Sequence, residues 1–192
     1  MIRLVILLPI LLLAACGSFS PPTGVAFQDT GRPTAASNAL AEALTSLGPG
    51  VDPQEAARAA RIAHDYPLAL ARAWDVTDPP LVHNTKVNLG LKPEGLCSDW
   101  AHALTERMAA EQFQTLDLHW GVANAFNPFR ITHNTLIVSA KGGRMEQGII
   151  LDPWRKGGGH LYWGPTAQDP EYAWLPLAEV HDRKRKARSR RN

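Results

Sequence analysis

Gly95-Leu96-Cys97-Ser98-Asp99-Trp100-Ala101-His102-Ala103-Leu104 is the stretch on which the reading of the whole chain turns. After a break at Pro93 and Gly95, the Ala-, Leu-, Glu- and Met-rich run from Ser98 to about Glu111 predicts a helix whose first turn carries Cys97. Unpaired backbone N–H groups and the positive end of the helix dipole favour thiolate over thiol at such a position. The usual fate of a free cysteine is to be a small buried hydrophobe. The surroundings of this one point instead to a nucleophile.

Two downstream stretches supply those surroundings. Ile131-Thr132-His133-Asn134-Thr135-Leu136-Ile137-Val138 and Ile149-Ile150-Leu151-Asp152-Pro153-Trp154 read as strands joined across the turn signal Lys141-Gly142-Gly143-Arg144. If the hairpin turns symmetrically about Gly142-Gly143, His133 lies directly opposite Asp152, on the same face, with β-carbons about 5 Å apart. A one-residue slip would put the two on opposite faces. Apolar neighbours on both faces (Leu136, Ile137, Val138, Ile149, Ile150, Leu151) predict a central hairpin buried on both sides, with the cysteine helix covering one of them. In that arrangement Cys97 attacks a carbonyl carbon, His133 carries the proton or pairs with the thiolate, and Asp152 fixes the imidazole tautomer. The Cys97 backbone N–H supplies one oxyanion donor, and Trp100, Asn88 and Asn84 are candidates for the second.

These residues together resemble the transglutaminase-like superfamily, the papain-related group in which Gly-x-Cys-x-Asp-x-Ala opens a helix, His follows on a strand and Asp ends the next strand. Gly95 to Ala101 fits that opening at every specified position, and the likeness runs from roughly Leu81 to Trp163. The resemblance implies an α+β fold with a papain/transglutaminase-like core, helices packed on a small antiparallel sheet and the nucleophile at the start of a helix. It implies Cys97, His133 and Asp152 as the catalytic set, and chemistry on amide bonds as a peptidase, amidase or acyltransferase, without a cofactor. The substrate it implies is a protein or peptide, a peptidoglycan peptide being one candidate. Asp99 matches the family position two residues after the nucleophile and reads as an early-helix acid that favours the dipole. Asn134 departs from the pattern, since the family commonly has a small or aromatic residue after its His. Some members of the superfamily have lost catalysis, so a lipid-anchored binding module of the same fold stands as the alternative.

The rest of the chain frames this centre. Its 192 residues, 45% apolar and 20% charged, suit one domain with appendages. Residues 1–15, with Arg3 before a Leu/Ile-rich run, read as a secretory leader too short for an ordinary membrane span. Leu13-Ala14-Ala15-Cys16 resembles the bacterial lipobox, which implies cleavage before Cys16, acylation of that residue, and a domain held to a membrane of the bacterial cell envelope, facing periplasm or exterior. Residues 16–34, rich in Ser, Pro, Thr and Gly, read as a flexible tether. Within the expected domain, 35–181, a helix is predicted from Ala35 to Leu47. A second is capped by Asp52 and interrupted at Pro67, with a kinked or separate continuation to Trp74 that Asp78-Pro79-Pro80 stops, and an extended or irregular segment runs from Leu81 to Leu91.

Residues 182–192 hold seven Lys/Arg against one acid and read as a disordered basic tail. Without that tail the remaining chain is mildly acidic, which argues against a nucleic-acid partner. Cys97 and His102 lie five residues apart on a helix, point in different directions and belong to no paired-ligand motif, which argues against a metal site.

Overall fold

The computed structural model describes residues 27–190. The leader, Cys16 and the tether as far as residue 26 lie outside the described residues. The N-terminal half is helical. Thr34 caps α1 (Ala35–Thr45) by accepting the Ser37 N–H, and Asp52 caps α2 (Pro53–Ala73) by accepting the Gln54 N–H, with Pro53 in the first helical position. The side chains of Ala56, Ala59, Ala60 and Ala63 on α2 are fully buried, and their small size lets the helix pack closely into the same core as Leu40 and Leu44 of α1. Two more helices follow, α3 (Pro80–Asn88) and α4 (Cys97–Ala109).

The C-terminal half is a five-stranded antiparallel sheet of β1 (Leu116–Ala123), β2 (His133–Ala140), β3 (Ile149–Asp152), β4 (Tyr162–Pro165) and β5 (Trp174–Pro176), in the order β4-β3-β2-β1-β5, followed by α5 (Leu177–Ser189). The protein is therefore α+β, and β2 is the central strand. Its even-numbered Leu136 and Val138 join the main core with Trp100, Leu104 and Met108 of α4. Its odd-numbered Ile137 joins a second cluster with Ile150 and Trp174 on the opposite face. Among the described residues no helix is long and apolar enough to cross a membrane.

Four expectations are corrected. The expected tether is anchored from residue 27 onward: Phe27 packs edge-on against Tyr66, and Asp29 takes two hydrogen bonds from Nε of Arg61 and one from Nη2, at 2.9 to 3.1 Å. Pro67 does not end α2, because Tyr66, Pro67, Leu70 and Ala71 continue its buried face, and that burial offsets the missing N–H. The segment from Leu81, expected to be irregular, is α3, whose first residue Pro80 has its φ preset for a helix. The tail expected to be disordered is helical to Ser189, in keeping with its Lys/Arg/Ala content and with i,i+4 and i,i+3 pairing of Glu179 with Arg183 and of Asp182 with Arg185. Beyond Val180 that helix is exposed through Arg190.

The hairpin register is also corrected. Leu136 pairs with Leu151, Ile137 with Ile150 and Val138 with Ile149, which places Asp152 across from Thr135, two residues from the expected His133. The connection is not a symmetric turn about Gly142-Gly143: it contains a 3-10 turn, Met145–Gln147, before β3 begins. Since a shift of two preserves the face, His133 and Asp152 remain diagonal neighbours on one side of the sheet.

Candidate active site

The backbone at the start of α4 explains why the motif opens with glycine. Gly95 adopts φ +124°, and a β-carbon there would lie 2.4 Å from Nε2 of His83. His83 is fully buried, with that same nitrogen 2.9 Å from the Glu94 carbonyl oxygen. Asp99 locks the turn: its Oδ2 accepts the N–H groups of both Gly95 and Leu96 at 2.9 Å. The Trp100 indole donates to the Gly95 carbonyl at 3.0 Å. The result is a rigid turn from which Cys97 enters the helix as its first residue, its own N–H too early in the helix for an intrahelical acceptor.

The sulfur of Cys97 lies against the beginning of β2, 3.6 Å from the Thr132 carbonyl oxygen and 3.8 Å from the side-chain nitrogen of Asn134. His133 begins that strand. By alternation it belongs to the face of Ile137, turned away from α4, and it meets Cys97 only because both sit at the end of the strand. Its ring is fully buried and bridges the two hydrophobic clusters, with centroids 4.8 Å from Trp154, 4.7 Å from Tyr172 and 5.4 Å from Trp174.

The two ring nitrogens have different surroundings. Nε2 hydrogen-bonds Oδ2 of Asp152 at 2.7 Å, whereas Nδ1 is buried with no hydrogen-bond partner. Burial works against the imidazolium, but the hydrogen bond to Asp152 and the nearby Cys97 sulfur outweigh it and raise the pKa of His133 to about 9. The sulfur is thus close enough to influence the ring while standing outside hydrogen-bond geometry. Cys97, His133 and Asp152 are brought together, with both the carboxylate and the sulfur favouring the imidazolium form of the ring.

Asp152 is held more tightly than a lone orienting acid requires. Oδ1 accepts the backbone N–H groups of Trp154 and Arg155 at 3.1 and 3.2 Å, and Oδ2 also accepts Nε of Arg155 at 3.1 Å. The Arg155 guanidinium then forms a bidentate pair with Asp169 at 3.0 and 2.7 Å and lies over the Tyr162 ring, 3.8 Å from its centroid. Asp169 accepts the Trp174 indole N–H at 2.7 Å, so the network returns to a ring that packs on His133. Burial alone would raise the Asp169 pKa, yet the bonds from Arg155, Glu171 and Trp174 hold it low. Arg155 and Asp169 were not singled out in the sequence. A buried-arginine signal does not exist at the level of residue type, and only the Asp152-Pro153-Trp154-Arg155 turn brings them in.

The oxyanion candidates divide differently from expectation. Trp100 spends its N–H on Gly95 O, Asn84 accepts the Trp154 indole through Oδ1 at 3.0 Å, and Asn88 is exposed at the end of α3. Asn134, noted in the sequence only as a departure from a family pattern, is the carboxamide beside the sulfur. Trp154 and Tyr172, which pack on His133, also line a cleft of about 740 Å³ together with Pro80, Leu81, Phe129 and Ile131; Cys97 and His133 are not part of its lining. No family model, curated protein or solved structure matches the chain.

Proposed function

We propose that the protein is a membrane-tethered cysteine-nucleophile enzyme of the bacterial cell envelope that acts on amide bonds of protein or peptide substrates, with a transglutaminase-like core. The observation that carries this reading is the meeting of a helix-start thiol, an imidazole and an orienting carboxylate from α4, β2 and β3, in that chemical order. The Cys97 thiolate attacks the carbonyl carbon, forming the S–C bond and moving the carbonyl π pair onto oxygen. Collapse of that intermediate breaks the C–N bond, and the Nδ1 proton of His133 passes to the leaving amine. The neutral imidazole then takes a proton from water or from an acceptor amine as that group attacks the thioester carbon, and collapse of the second intermediate breaks the S–C bond and returns its electron pair to Cys97 as thiolate, giving hydrolysis or acyl transfer. Asp152 keeps Nε2 engaged, so that Nδ1 is the nitrogen left free for proton transfer. The apolar lining of the adjoining cleft suits hydrophobic residues of a peptide.

The membrane tether rests on Leu13-Ala14-Ala15-Cys16 alone. The burial of both Cys97 and His133 favours a second reading, a lipid-anchored binding module of the same fold without turnover. Iodoacetamide labelling at pH 7, with the modified peptide mapped, separates the two. The enzyme reading expects Cys97 to react faster than free cysteine and Cys97→Ser to remove the modification at that peptide. A rate at or below that of free cysteine overturns it in favour of the binding module.

A further inference from the structure

Asn134 has a side chain whose orientation is fixed by its neighbours. The Trp120 indole donates to Oδ1 of Asn134 at 3.0 Å, and an indole N–H can only donate. The carboxamide oxygen must therefore face Trp120, which leaves the NH₂ group facing Cys97, 3.8 Å from the sulfur. Residue alternation gives the same answer. Asn134 shares parity with Leu136 and Val138, on the α4 side of the sheet, whereas His133 projects to the other face. The first N–H of α4 and this NH₂ group consequently approach the sulfur from helix and strand, leaving between them the place where a carbonyl oxygen under attack would sit.

We infer that Asn134 is the second oxyanion donor of the Cys97 site, with Trp120 as the residue that positions it. This rests on the acyl-transfer reading above. The role needs a donor about 3 Å from the oxyanion and already oriented before the charge develops. A free asparagine flips at little cost, whereas this one would have to leave the Trp120 N–H without an acceptor. The position after the histidine that breaks the family pattern thus acquires a task of its own.

The test compares two reactions of one thiol in the full chain. Acylation by p-nitrophenyl acetate forms the S–C bond, places the π pair on oxygen and then breaks the C–O bond to expel p-nitrophenolate. Alkylation by iodoacetamide forms an S–C bond and expels iodide, with no oxyanion. Both are followed at Cys97 by peptide mapping, so Cys16 does not contribute. Asn134→Ala should lower the ratio of acylation to alkylation by about 10²-fold, the usual loss for one oxyanion donor. Asn134→Asp, which keeps an acceptor for Trp120 but removes the donor, should lower it at least as much. Trp120→Phe should lower it less, because the donor is present but unaligned. If acylation and alkylation fall in parallel in both Asn134 variants, or if neither changes, Asn134 is not an oxyanion donor while the nucleophile reading survives. If Cys97 of the unaltered chain is not acylated at all, both assignments fall.

Discussion

On its Nε2 side the His133 ring meets a carboxylate that receives two backbone N–H groups and a guanidinium, itself clamped by a second carboxylate and covered by Tyr162. Its Nδ1 is buried with no hydrogen-bond partner, and the nearby Cys97 sulfur has its own partners only at 3.6 and 3.8 Å. The acid side is overdetermined and the thiol side is slack. An orienting group gains from rigidity, because it must do the same thing at every step, whereas a nucleophile needs room for the carbon it attacks. On the proposed enzyme reading, the contrast separates the part of the site that sets stability from the part that sets reaction rate.

The contrast can be broken from the acid side first. Asp152→Asn keeps the shape but changes the partner that sets the imidazole tautomer. Turnover should fall by up to about 10⁴-fold, while iodoacetamide labelling of Cys97 falls far less. Equal losses in the two assays would mean that the carboxylate acts on the thiol and not on proton transfer. Next in size is Arg155→Met. With side chains of Arg155, Asp152 and Asp169 exposed by only 6%, 1% and 0%, it strands two buried carboxylates and should cost about 3–5 kcal/mol in chemical denaturation.

A smaller effect sharpens the comparison through pH. The folded-state pKa of His133 is raised from 6.5 to about 9, so the imidazolium's contribution to stability is fully present below pH 6.5 and lost as pH rises through about 9. Denaturation midpoints measured across that window should decline in the unaltered chain, and His133→Gln should remove that part of the decline. Cys97→Ser, which removes one of the groups that raise the value, should move the His133 midpoint down in an NMR titration. The smallest effect belongs far from the site. Deleting Arg183 to Asn192 should leave Tm nearly unchanged, since α5 is exposed beyond Val180 and its surface ion pairs contribute little. A large loss would show that the basic helix is part of the fold.

What the sequence disclosed follows the range of the forces involved. Helix starts at Asp52 and Cys97 and the strand from His133 to Ala140 were legible because caps, breaks and apolar runs act within a few residues. That His133 and Asp152 share one face of the β2-β3 pair was legible from alternation. The register was not, because it depends on a 3-10 turn that composition does not mark. Pro79-Pro80 was read as a stop when it is also a start, since Pro in the first turn costs a helix nothing. Arg155, Asp169 and the pairing of Asn134 with Trp120 escaped because each is a contact between segments whose residue types carry no local signal.

The two-residue offset between β2 and β3 bears on how such a hairpin can change over evolutionary time. Alternation along a strand repeats every second residue, so a shift of pairing by an even number keeps imidazole and carboxylate on a common face, whereas an odd shift turns them back to back. The loop from Lys141 to Gly148 is therefore read by the site as a parity and not as a length. Its span can change in pairs, with diagonal reach absorbing the displacement, while a single insertion that passed into the register would separate the two side chains without altering either of them.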